Sequence, residues 1–222
     1  MQKKIVLLQT SMVSFDVFNR LFAQIIPEAK ISNLVDEDLL DTLNRNKGIT
    51  KSIIQRICQY VVAAEAAGAD MVFSQCSSTR EGIECARKMV SIPLVMVDDG
   101  MSEKAVSLGC RIGVAATAKA TIAPSTRALE EAARKAGKEI AVKTYLADGA
   151  LDILMKEKNQ EKHDRLVLEL IGRAAAENDV VVLAQGSMIT LEPYLHDFQA
   201  PVLTSPALGV EKARSILFSK GE

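Results

Sequence analysis

The chain has 222 residues, 48% of them apolar, and its 27 basic side chains nearly balance 28 acidic ones for a net charge of −1. That length can bury a substantial core in one domain or two small ones, and the balanced charge supplies no basic field to hold a nucleic acid. No apolar run approaches the roughly 18 to 20 residues that a bilayer-crossing helix needs, so no membrane association is expected.

The first ten residues, MQKKIVLLQT, place two lysines ahead of an apolar stretch. That stretch is too short for a signal peptide, which needs roughly 7 to 15 apolar residues. KIVLLQ (4–9) therefore reads as a buried first strand, and the expected compartment is the cytoplasm. Further strand patterns follow at ISNLV (31–35), DMVFSQ (70–75), IPLVMV (92–97), RIGVAA (111–116), EIAVKTYL (139–146), DVVVLAQ (179–185) and APVLTS (200–205). Between them, residues 50–68 carry apolar side chains at helical spacing, with Thr50 as a cap and Gly68 as the stop. Residues 121–137, ending in Gly137, and residues 165–178 repeat that logic, and GIECARKMV (82–90) continues a shorter helix. Asp36 to Asp38, Lys143 and Thr144 read as surface or loop residues. Short apolar runs alternating with longer helical patterns mark α/β architecture, a mostly parallel sheet with helices on both faces.

The chain also repeats itself. KIVLLQT (4–10) matches RIGVAAT (111–117). ISNLVDEDLLDTL (31–43) matches VKTYLADGALDIL (142–154), with Asp41 on Asp152 and Leu43 on Leu154. DMVFSQCSST (70–79) matches DVVVLAQGSM (179–188). The offsets of 107, 111 and 109 residues keep one order, so a duplication into two similar domains is expected. Parallel sheets bind ligands beyond the C-terminal ends of their strands, and clefts between domains are favoured sites. The turns of interest are therefore Thr10-Ser11, Cys76 to Thr79, Thr117 to Thr121 and Gln185 to Met188.

Four cysteines, at 58, 76, 85 and 110, form no C-x-x-C pair, and His163 and His196 sit among polar residues, so no metal site is expected. Cys76 follows a strand and opens a polar turn ahead of a helix. A thiol there faces free amides and the positive end of the dipole, which favour a thiolate. Ser77, Ser78 and Thr79 add hydroxyls suited to a carboxylate. The competing reading makes Cys76 a small buried residue and Ser77 or Ser78 a cap.

The segments GADMVFSQCSST, IPLVMVDD, RIGVAATAKAT, DVVVLAQGSM and APVLTSPALGVEKA together resemble the Asp/Glu/hydantoin racemase superfamily over nearly the whole chain. Its members include cofactor-independent amino-acid racemases, maleate isomerase and arylmalonate decarboxylase. The resemblance implies two pseudo-symmetric, mostly parallel α/β domains with the active site at their interface. It divides the chain into residues 1–97 plus 206–222 and residues 98–205, the last helix returning to the first domain. It implies no cofactor, a small carboxylate-containing substrate and a homo-oligomer. In the family's racemases a cysteine from each half flanks the substrate. Cys76 falls on the first position, but Gln185 replaces the second cysteine, and an amide cannot exchange a proton as a thiol does. Gln185 would instead donate a hydrogen bond to a carboxylate or carbonyl, or satisfy its own turn. The resemblance further implies substrate binding by Thr10, Ser11, Ser77, Ser78, Thr117, Lys119, Thr121, Gly186 and Ser187, Lys119 being alternatively an ordinary exposed lysine at a helix start. The expected function is acid/base chemistry by one thiol at the carbon next to a carboxylate or carbonyl. The rival reading is a non-catalytic carboxylate-binding protein.

Overall fold

A computed structural model describes residues 2–219 apart from Val13 and Lys47, and the side chains of Leu151, Met155, Gly186 and Ser187 stand outside that description. The described residues divide into two compact units. One runs up to Val97 and takes in the chain from Pro206, and the other is Asp98–Ser205.

In the first unit a parallel sheet has the order β2 (Lys30–Val35), β1 (Lys4–Gln9), β3 (Met71–Ser74), β4 (Leu94–Met96). Its central strands are apolar through their middles, Ile5 to Leu8 and Met71 to Phe73, because helices cover both faces. Side chains alternate between those faces. Val6, Leu8, Val72, Leu94 and Met96 pack with α2 (Glu37–Arg45), α3 (Lys51–Ala66) and α4 (Arg80–Ala86). Ile5, Leu7, Met71, Phe73 and Val95 pack with Phe18 and Phe22 of α1 (Phe15–Ile25) and with Val210 and Ala213 of α9 (Ser205–Leu217). Gly209 lets α9 approach, since a Cβ there would collide with the Val97 carbonyl. Thr50 accepts a hydrogen bond from the Ile53 amide and starts α3, as expected of a cap.

The second unit repeats the plan with the order β6 (Ala141–Leu146), β5 (Arg111–Ala116), β7 (Val180–Leu183), β8 (Val202–Leu203). Ala115, Val181 and Leu183 pack on Val167, Leu170, Ile171 and Ala174 of α8 (Gln160–Glu177). On the other face α5 (Asp99–Leu108) lies on β7 and α6 (Ile122–Ala136) on β5. A single turn, α7 (Ala150–Asp152), follows β6. Gly137 ends α6 at φ 63°, a conformation glycine adopts without a side-chain penalty.

The duplication extends to strand register. Lys4 pairs with Lys30 as Arg111 pairs with Ala141, and Val72 pairs with Leu94 as Val181 pairs with Val202. It also extends to a clasp beneath each sheet. Asp70 accepts from the Lys4 amide and the Lys3 ammonium, while Asp179 accepts from the Arg111 and Cys110 amides and the Arg111 guanidinium. The Arg111 hydrogen bonds are the main reason the Asp179 carboxyl is held down at about 2. Asp36, expected as a surface or loop residue, lies in the loop after β2, but its side chain is only 10% exposed and receives Arg56 and Tyr60, which tie the end of β2 to α3. Lys143 and Thr144 are exposed, but in strand β6 rather than a loop.

Candidate functional site

β3 ends at Ser74, and the chain turns at Cys76, whose backbone is extended at φ −117° and ψ 114°. A 3-10 turn, Ser77–Thr79, then runs directly into α4. Thr79 fixes this bend. Its amide and its hydroxyl both donate to the Cys76 carbonyl, at 3.1 and 2.7 Å, and its oxygen lies 2.8 Å from the Ser74 hydroxyl. Thr79 is fully buried, so it holds the turn from beneath. Cys76, Ser77 and Ser78 are half-buried, and their side chains have no hydrogen-bond partner among the described residues. A thiol and two hydroxyls thus stand unused at the C-terminal end of a central parallel strand, where such sheets bind ligands.

Neighbouring residues secure the turn. The Gln75 amide donates to Leu8 of β1, and its side-chain oxygen accepts from the Ser14 hydroxyl just before α1. Thr10 is buried at the end of β1, and Ser11 follows it half-buried. Sequence reasoning passed over Gln9, whose carboxamide donates to Asn33, which in turn donates to Asn19. The Gln9 Oε1 atom is buried without a partner among the described residues.

The second unit places Gln185 where the first places Cys76. β7 ends at Leu183, Gln185 is extended at φ −135° and ψ 129°, and the 3-10 segment Gly186–Tyr194 begins next. Here the equivalent side chain is engaged. Gln185 Oε1 accepts from the Thr117 amide at 2.8 Å, the Thr117 hydroxyl at 3.1 Å and the Ala118 amide at 3.3 Å. Backbone amides only donate, so the oxygen of the carboxamide must face them. Nε2 points its hydrogens elsewhere and has no partner among the described residues. The turn-satisfying role and the donor role considered for Gln185 are therefore compatible, one for each end of the amide.

Thr117 is buried and spends its hydroxyl hydrogen on Gln185. The Thr121 hydroxyl donates to the Ala118 carbonyl at 2.8 Å, repeating the bond from Thr79 to Cys76. Lys119 is exposed between them. Gly186 and Ser187 open the 3-10 segment, and the Ser187 side chain lies outside the described ones. The remaining thiols differ in setting: Cys58 is buried and Cys85 and Cys110 are exposed. Among the described residues no cluster of acidic, histidine and cysteine side chains could hold a metal ion, and no helix is long and apolar enough to cross a membrane.

A sequence model of the family described as Asp/Glu/Hydantoin racemase matches residues 10–213. Among solved structures, a candidate Asp/Glu racemase from Yersinia pestis is similar at TM-score 0.76 and 17% identity, over 97% of this chain and 99% of that one. An aspartate racemase homologue from Pyrococcus horikoshii is similar at TM-score 0.72 and 17% identity, over 98% and 99%. Allantoin racemase from Klebsiella pneumoniae is similar at TM-score 0.70 and 17% identity, over 97% and 87%. No curated protein sequence matches the chain.

Proposed function

The chain belongs to the Asp/Glu/hydantoin racemase family, and from that premise we propose an enzyme that moves a proton at the carbon next to a carboxylate or carbonyl of a small acid, using Cys76 as its single site thiol. Cys76 removes or delivers the proton. The Ser77 and Ser78 hydroxyls and the amides of the turn receive the carboxylate, whose oxygens gain charge as the α-carbon is deprotonated. Donors already aimed at that charge lower the barrier without reorganising. The Thr79 hydrogen bonds keep the turn rigid while this happens.

One observation carries the reading: two turns of matching backbone, one with an unpartnered thiol and the other with a carboxamide whose oxygen is saturated by its own unit. An amide neither gives nor takes a proton near neutral pH, so Gln185 supplies no second acid. Two-thiol racemisation is thereby disfavoured, and proton exchange, isomerisation or decarboxylation through one thiol is favoured. Gln185 Nε2 remains able to donate to a carbonyl or carboxylate oxygen.

The test is deuterium exchange. Small carboxylic acids are incubated with the protein in D₂O and their α-proton signals followed by NMR. Loss of one signal with wild type, and its persistence with Cys76→Ala, supports the proposal. No exchange with any acid, together with saturable binding of one, supports the carboxylate-binding reading instead.

A further inference from the structure

Two of the four thiols, Cys58 and Cys85, lie on α3 and α4, two helices that pack against each other. α3 and α4 pack tightly because Gly82 has no side chain: a Cβ there would stand 2.5 Å from Ile57 Cδ1. Cys58, next to Ile57, has its Sγ 3.8 Å from the Gly82 carbonyl oxygen. Cys85 lies three residues beyond Gly82, on the same side of α4 one turn later. Met89, in the turn just beyond α4, borders an apolar groove of about 450 Å³ together with Cys58, Gln55, Gln59, Val62 and Ala66. Gly82, one turn before Cys85, thus touches Cys58, and Met89, four residues after Cys85, lines the same groove as Cys58. Burial pushes the Cys58 thiol up, and charge on Cys85 adds to that push. Cys85 is exposed and Cys58 buried.

We propose that Cys58 and Cys85 form a redox-modifiable pair that closes into a disulfide joining α3 to α4. The oxidant is hydrogen peroxide. The Cys85 thiolate attacks one peroxide oxygen, the O–O bond breaks, and water leaves after protonation, giving a sulfenic acid. The Cys58 sulfur then attacks the Cys85 sulfur as it loses its proton, the S–O bond breaks, and a second water leaves. Two thiols lose two electrons and the peroxide gains them. Burial of Cys58 protects it from the oxidant, which sets the order of events. A disulfide needs roughly 4.4 to 6.8 Å between its Cα atoms, and the close packing at Gly82 draws α3 and α4 together one turn before Cys85.

The test is mass spectrometry of native protein after brief treatment with low hydrogen peroxide, with digestion under conditions that block thiol exchange. The expected result is a loss of two hydrogens, a Cys58 peptide linked to the Cys85 peptide, and full reversal by dithiothreitol. The same link should form in Cys76→Ser protein and be absent from Cys85→Ser protein. These readouts are independent of the catalytic reading. Conversion of Cys85 to sulfinic acid while Cys58 stays a thiol would overturn the proposal, as would linked peptides that pair either residue with Cys76 or Cys110.

Discussion

Replacing Gln185 with alanine tests whether its carboxamide is the buttress of the second unit's turn. The substitution strips the acceptor from the Thr117 amide, the Thr117 hydroxyl and the Ala118 amide. A protein hydrogen bond contributes about 0.5 to 1.5 kcal/mol net, and a buried donor left unpaired costs about 1 to 3 kcal/mol. Thr117 is 7% exposed, which limits rescue by water, but Gln185 itself is half-buried and would admit some. The balance is a loss of about 1 to 3 kcal/mol, which for a chain of this size lowers the melting temperature by roughly 2 to 4 °C per kcal/mol. Urea unfolding should show an earlier midpoint with an unchanged slope, and hydrogen exchange should show faster exchange at the Thr117 and Ala118 amides. Gln185→Glu keeps an acceptor at the same place and should retain both stability and protection at neutral pH. An alanine variant with an unchanged midpoint and unchanged protection at both amides would refute the reasoning.

Thr79→Val removes the buried hydroxyl that binds Ser74 and the Cys76 carbonyl, and should cost about 1 to 3 kcal/mol in urea unfolding while slowing any Cys76-dependent exchange. The folded Asp179 carboxyl sits at about 2, below its ordinary 3.8, chiefly through Arg111 hydrogen bonds. A depressed carboxyl contributes stability that is complete above about pH 4 and is lost as pH falls through about 2, so Asp179→Asn should flatten that stretch of the acid-unfolding curve. Gly209→Ala should destabilise the first unit by about 1 to 3 kcal/mol, read as an earlier thermal transition, because its Cβ meets the Val97 backbone. Brief iodoacetamide labelling should modify Cys76 ahead of Cys85 and Cys110; since those two are more exposed, such an order would reflect activation rather than access, and the reverse order would count against a reactive Cys76.

The strands were legible because each central one is covered on both faces and so is written mainly in apolar residues. All eight expected runs contain strands, though β3, β4, β6, β7 and β8 are shorter than the expected runs. Helices α1, α2 and α5 escaped notice, since their short patterns lack the long periodic stripe of α3 or α6. The matched position of Cys76 and Gln185 was readable from the strand-turn repeat. What the amide does was not, because spacing along the chain says nothing about which end of a carboxamide meets a neighbouring turn. The paired aspartates, Asp70 and Asp179, stood at the head of two matched segments, yet a polar residue ahead of a strand reads as an ordinary turn until its backbone partners are seen. Asp36 likewise read as an ordinary surface or loop residue, because its partners Arg56 and Tyr60 lie some twenty residues away on α3.

The central claim is that proton transfer runs through one thiol and has no second acid at Gln185. The most direct measurement incubates wild-type protein in D₂O with single enantiomers of small acids, aspartate and glutamate among them, and reads α-proton loss by NMR and configuration by chiral chromatography. The expected result is exchange of at least one acid with its configuration retained, no efficient racemisation of aspartate or glutamate, and loss of the exchange in Cys76→Ala. Racemisation of either amino acid at ordinary enzyme turnover, on the order of 1 to 10³ per second, would contradict the account, as would exchange that survives the loss of Cys76.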